Sequence, residues 1–330
     1  MDDRTEWLSK THEAPLDPDL EICDAHHHLW DRGGHRYLAE EFTHDTTGHR
    51  VTKSVYVECL SMYREDGPEA LRPVGETEFV DRITSAAPSQ GSGLQVTAGI
   101  VGFADLTLGS AAGPVLEAHM EASARFRGIR YATAWDASDK VHDAHTKPGR
   151  HLLGAADFRE GFQCLGALGL TFDAWLYFHQ IPELIDLARA FPETTIILNH
   201  VGGPIGIGPH AGKREEVFTT WKTHIAELAR CDNVFVKLGG MTMSLAGFGW
   251  HKRDKPAGSV ELAEAMAPYF GACIERFGPD RCMFESNFPV DGTGASYTIL
   301  WNAFKRVAEG YSADERRALF HDTAVRTYKI

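Results

Sequence analysis

With 330 residues and 43% hydrophobic composition, the chain can bury a large core as one unit or as two. Its net charge of −13 excludes nucleic acid and anionic membranes as partners, since both require a basic face. The amino terminus, Met1-Asp2-Asp3-Arg4-Thr5-Glu6, lacks an apolar signal region, and the longest apolar runs (195–198 and 234–236) are strand-sized. Six cysteines stand singly, without Cys-x-x-Cys spacing, and suit reduced core thiols in a cytoplasmic protein.

In chain order, β-branched runs occupy residues 20–25, 53–59, 94–103, 126–131, 170–176, 195–200, 233–238 and 281–284. Helical patterns lie between several of them, at 76–87, 111–124, 182–190, 215–230 and 259–277. Alternation of this kind implies a parallel sheet covered by helices, and eight units over this length predict an α/β fold of the closed (β/α)8 (TIM) barrel type. An open doubly wound sheet is the alternative. No Gly-x-Gly-x-x-Gly follows the first run, so the usual dinucleotide site of that alternative is missing. We therefore expect a single domain over 1–330, with an amino-terminal extension of about 1–19. The polar stretches 32–50, 136–150, 202–214 and 241–258 each follow a strand, where a barrel carries its functional loops.

The densest chemistry lies in Asp24-Ala25-His26-His27-His28-Leu29-Trp30. On an extended segment His26 and His28 face one side and His27 the other. Two imidazoles at a strand end can share a divalent metal or bind an anionic substrate group. A second block, Leu198-Asn199-His200-Val201-Gly202-Gly203-Pro204, ends an apolar strand in a histidine followed by a sharp turn. The third, Phe284-Glu285-Ser286-Asn287-Phe288-Pro289-Val290-Asp291, runs a strand into a polar turn with acid/base candidates. Each block has a bland counterpart: a surface histidine loop, a hydrogen-bonded core histidine, a capping turn.

These blocks resemble the amidohydrolase superfamily, in particular the amidohydrolase-related branch that includes sugar-lactone and pyrone-dicarboxylate lactonases. The likeness runs from Asp24 to about Ala324, and Arg127-Gly128-Ile129-Arg130-Tyr131 and Phe172-Asp173-Ala174-Trp175-Leu176 match its fourth and fifth strands. The resemblance implies a distorted barrel with His26 and His28 from strand one, His200 from strand six and an acid/base residue from strand eight. That last position is usually aspartate, and here it is Asn287. A neutral amide cannot take a proton from water at neutral pH, so the base is expected at Asp291 first and Glu285 second. His179 stands about one residue out of register with the family's strand-five histidine.

The expected activity is hydrolysis of a lactone or similar cyclic ester or amide from sugar or aromatic catabolism. His26, His28 and His200 would polarise the carbonyl, either as ligands of one divalent ion such as Zn2+ or without metal. Arg130, Glu58, Trp30 and Tyr177 are the substrate-binding candidates, with Lys237, inside an apolar run, also able to reach the site. A metal-dependent non-oxidative decarboxylase and a non-catalytic binding barrel are the alternatives. The partner is a small-molecule substrate, and a homo-oligomer is compatible with the sequence.

Overall fold

The alternation of β-branched runs and amphipathic helices folds as the pattern predicts. The computed structural model describes residues 3–85 and 93–330, so the first two residues and the end of the expected helix 76–87 lie outside it. Eight strands form one sheet in sequence order: β1 (Glu21–His27), β2 (Arg50–Val57), β3 (Gln95–Gly102), β4 (Phe126–Ala132), β5 (Thr171–Trp175), β6 (Ile196–Leu198), β7 (Val234–Leu238) and β8 (Cys282–Phe284). Every ladder is parallel. Beyond β8 the backbone closes onto β1: Asn287 N donates to His26 O (2.8 Å) and His28 N to Phe288 O (2.8 Å). The result is a (β/α)8 barrel.

Its outer layer is made by α1 (Val74–Ser85), α2 (Ala112–Ala122), α3 (Ala156–Leu168), α4 (Ile181–Ala190), α5 (Arg214–Leu228), α6 (Ser259–Phe277) and α7 (Tyr297–Val307). Local signals explain several ends. Pro182 sits in the first turn of α4, Gly169 ends α3 in the left-handed region, and the Ser296 hydroxyl caps α7 by accepting from Ile299 N. α3 and α7 lie where the sequence reading placed no helix. The stretch 32–50, read as loop, holds the second strand of a hairpin (Trp30–Arg32 with His35–Tyr37) and a helix (Ala39–Asp45). Elements this short carry too few turns for a periodic signal.

Two apolar layers position the site. The larger packs helices onto the outside of the barrel, and a smaller one fills the interior with Cys23, Ala25, Val55, Val57, Val101, Ile197 and Met283. Ala324 and Tyr328 of the carboxy-terminal helix (Thr323–Tyr328) complete that inner cluster. All six cysteines are free. Among the described residues no helix is long and apolar enough to cross a membrane.

Candidate active site

β1 begins with simple alternation, Ile22 in the outer layer and Cys23 and Ala25 in the inner. Continuing by twos would turn His27 inward. Instead the pairing with β2 shifts between Asp24 and His27, and this bulge resets the phase. His27 therefore stacks on Phe42 at 4.1 Å and meets Ser54 Oγ at 3.0 Å on the outer side. His26 and His28 face each other over the mouth, their Nε2 atoms 3.3 Å apart.

Partners decide where the protons sit. His28 Nδ1 lies 2.8 Å from the Val57 carbonyl, which only accepts, so Nδ1 carries the proton and Nε2 a lone pair. His26 Nδ1 lies 2.8 Å from Glu285 Oε2, which is not aligned for a hydrogen bond, and 3.5 Å from Lys237 Nζ, while its Nε2 faces the lone pair of His28 Nε2. Burial, aided by the positive charges of Lys237 near His26 and Arg130 near His28, pushes both pKa values well below the ordinary range. Both rings are neutral.

The turn after β8 brings up a third atom. Asn287, at φ 52°, donates from Nδ2 to Asp291 Oδ2 (2.6 Å), which aims its Oδ1 at His28 Nε2, 3.2 Å away. Asp291 Oδ1 accepts from Thr242 N (2.7 Å) and also from the Thr242 hydroxyl. Both Asp291 oxygens are thus bound within the protein, and burial pushes its pKa up to about 6. Asp24 joins β1 to this turn by accepting from Ser286 N (2.9 Å) and Tyr297 OH (3.0 Å).

Glu285 stands between two histidines. Its Oε1 accepts from His200 N (3.0 Å) and pairs with His200 Nδ1 (2.6 Å); its Oε2, beside His26, has no aligned hydrogen bond. This close assembly needs two glycines after β7. A Cβ on Gly239 would lie 2.4 Å from Glu285 Cγ, and one on Gly240, at φ 71°, 2.4 Å from His200 Cβ. His200 itself has φ 52°, and its ring lies 4.7 Å from those of His26 and Trp175. Lys237, fully buried, bonds Asp173 Oδ1 at 2.7 Å; Asn199 Nδ2 and Tyr328 OH bind the same carboxylate.

The structure thus gathers His26, His28, His200, Asn287 and Lys237, with Asp291 behind Asn287. Trp30 flanks His28, ring to ring at 6.1 Å, and Tyr177 packs on Trp175. Arg130 and Glu58 face each other: Arg130 Nε donates to Glu58 Oε1 (2.7 Å), and its Nη2 to the Glu58 carbonyl. His179 lies past the end of β5, in a 3₁₀ turn (Phe178–Gln180), so strand parity does not govern it. Asp173, Thr242 and the Gly239-Gly240 pair went unmarked in the sequence reading. Gly-Gly directly after a strand holding a buried lysine was their one visible signal.

A parallel barrel whose first, sixth and eighth strands deliver imidazoles, a carboxylate and an amide to one polar centre defines the class of barrel hydrolases. Residues 23–330 match the family model described as amidohydrolase, and the chain belongs to that family. An uncharacterized protein of Sinorhizobium fredii, y4mH, is 32% identical over 94% of this chain and 99% of its own length. An L-fucono-1,5-lactonase of Burkholderia multivorans is 25% identical over 93% of this chain and 95% of its own. An amidohydrolase of Burkholderia multivorans, solved with bound zinc, superposes with a TM-score of 0.71 at 23% identity, covering 94% of this chain and 99% of that one.

Proposed function

We propose that this enzyme opens a lactone, with sugar lactones as the substrate class, in the cytoplasm. One observation carries the reading: His26 Nε2, His28 Nε2 and Asn287 Oδ1 converge, with 3.3 Å between the nitrogens and 3.2 Å from His28 Nε2 to the amide oxygen, and the last two are both lone-pair atoms. Acceptors facing acceptors without a proton between them repel, and a cation removes that conflict. Two imidazoles and an oxygen fit Zn2+, and His26, His28 and Asn287 would hold it. A zinc ion bound there would supply a Lewis acid to polarise the lactone carbonyl.

The remaining residues have separate tasks. Glu285 holds the proton on His200 Nδ1, which fixes that ring and leaves its Nε2 as the basic atom, while its second oxygen stands beside His26 Nδ1. His200 Nε2 has no hydrogen-bond partner among the described residues and takes the proton from the attacking water, in place of the expected Asp291. It then returns the proton to the ring oxygen that leaves. Asp291 acts through Asn287, whose amide it orients. Trp30 supplies an apolar wall beside His28. A likeness to the L-fucono-1,5-lactonase over nearly the whole chain supports the sugar-lactone class.

The test is ring opening of a panel of aldonolactones, followed with a pH indicator, by the parent and by His200→Ala. Hydrolysis of at least one lactone by the parent, lost in the variant, is expected. A parent that opens none, but releases CO2 from carboxylated aromatics, would replace lactone opening by decarboxylation.

A further inference from the structure

Away from the central cluster, three loops on the same end of the barrel bring another set of metal-ligating side chains together. Asp136 follows β4, His179 follows β5 and His210 follows β6. One ligating atom from each lies within 4.8 Å of the other two. We propose that Asp136, His179 and His210 form a second site for a divalent cation with zinc's preference for nitrogen and oxygen ligands, tying these three loops together.

The donor set matches that chemistry. Two imidazoles and a carboxylate, with a fourth position left to water, are a common zinc environment, whereas Mg2+ and Ca2+ favour all-oxygen sets. Spacing is nearly right: Asp136 Oδ2 lies 3.0 Å from His210 Nε2 and 3.9 Å from His179 Nε2. Ligands at about 2.0–2.1 Å from a tetrahedral ion stand roughly 3.3 Å apart, so His179 needs to approach Asp136 by less than about 1 Å, starting from ligating atoms that all lie within 4.8 Å of one another. The two imidazoles are held parallel at 6.1 Å, with an interplanar angle of 13°.

Second contacts orient the set. Asp136 Oδ1 accepts from Ser138 N (2.8 Å), which leaves Oδ2 for the cluster. His179 Nε2 lies 3.0 Å from the Trp135 carbonyl, a hydrogen bond it gives up on ligating, and its Nδ1, buried without a hydrogen-bond partner, then carries the proton. An Asp136–His210 pair alone would pin two loops and would not account for His179 Nε2 lying 3.9 Å from the same carboxylate oxygen. The side chains of His179 and His210 are 30% and 21% exposed, enough for an ion to enter from solvent. None of the three belongs to the central cluster, yet ring contacts connect the two: His179 to Tyr177 (6.2 Å), Tyr177 to Trp175 (5.9 Å) and Trp175 to His200 (4.7 Å). An ion here would stiffen the wall that carries His200.

Zn2+ titration of the chelator-stripped full chain, in competition with a chromophoric chelator, tests this directly. In a His26→Ala/His28→Ala background, which removes the two nitrogens assigned to the central ion, one equivalent of Zn2+ should bind. Adding Asp136→Asn or His210→Ala should weaken it by at least about tenfold. Zn2+ should also raise Tm in that background and fail to do so with Asp136→Asn. In the otherwise unaltered chain, Asp136→Asn alone should release one equivalent, which keeps the test sound if the double background folds poorly. Zinc binding unaffected by both substitutions, or no stoichiometric binding in the folded double background, overturns the site.

Discussion

Two buried polar regions at the barrel mouth differ in how their charges balance. Between β2 and β4, Arg130 and Glu58 neutralise each other, donor against acceptor, at 2.7 Å. Between β1 and β8, His28 Nε2 and Asn287 Oδ1 face each other as acceptors 3.2 Å apart, with His26 Nε2 3.3 Å from the same imidazole nitrogen. The charges of the first pair cancel within the protein, although Glu58 Oε2 has no hydrogen-bond partner among the described residues; two acceptors set face to face are relieved only by a ligand. The difference separates residues that hold the mouth together from residues that do chemistry there. It also explains why Arg130, a candidate for gripping a substrate carboxylate, is already engaged.

The largest effect should come from the unbalanced side. His28→Ala should lower turnover by about 10³-fold with little change in stability, since it removes a polarising group and leaves the core intact. His27→Ala, one residue away but stacked on Phe42, should cost stability on the order of 1–3 kcal/mol and keep most of the turnover. Equal losses of turnover in the two would break the distinction between the faces of β1.

On the balanced side, Arg130→Ala leaves buried Glu58 with only His145, 3.5 Å away, beside it, and denaturant unfolding should register a loss of about 3–5 kcal/mol. A variant of unchanged stability with a raised KM would move Arg130 into substrate recognition. Glu285→Gln probes the layer that orients His26 and His200; Zn2+ affinity at the central site should fall by about 10–100-fold in a competition titration.

The smallest effect concerns pH. Burial lifts Asp291 from an ordinary 3.8 to about 6, so acidification through pH 6 neutralises the acceptor that aims Asn287. Turnover should decline across that interval, and Asp291→Asn should flatten this limb of the profile. Stability runs the other way. A raised carboxyl pKa contributes stability fully below about 3.8 and loses it as pH rises through about 6, so the parent should gain on the variant when acidified. Matched pH titrations of turnover and Tm for both proteins check the two signs.

The barrel was legible because its strands are separate apolar runs and its helices mostly long enough to show a period. α3 and α7 escaped notice although both are long; the hairpin after β1 escaped because each of its strands has three residues. His26, His28, His200 and Asn287 could be found because each stands at or within three residues of the end of an apolar strand run. The bulge that turns His26 inward could not, since it is a property of pairing with β2 rather than of β1's own residues. Asp291 illustrates a different limit. The sequence shows a carboxylate near the site, but only the folded chain shows both of its oxygens occupied by Thr242 and Asn287. The Arg130–Glu58 pair joins residues 72 positions apart, and no local pattern announces it.

The central claim is that the acceptor cluster of β1 and β8 is a cation site. Anomalous diffraction at the zinc edge, from crystals grown with Zn2+, tests it most directly. A peak is expected about 2.0–2.1 Å from Nε2 of both His26 and His28, with Asn287 Oδ1 among the ligands. A zinc-saturated crystal with no peak between those three atoms, or with the ion on Glu285 and His200 instead, would contradict it.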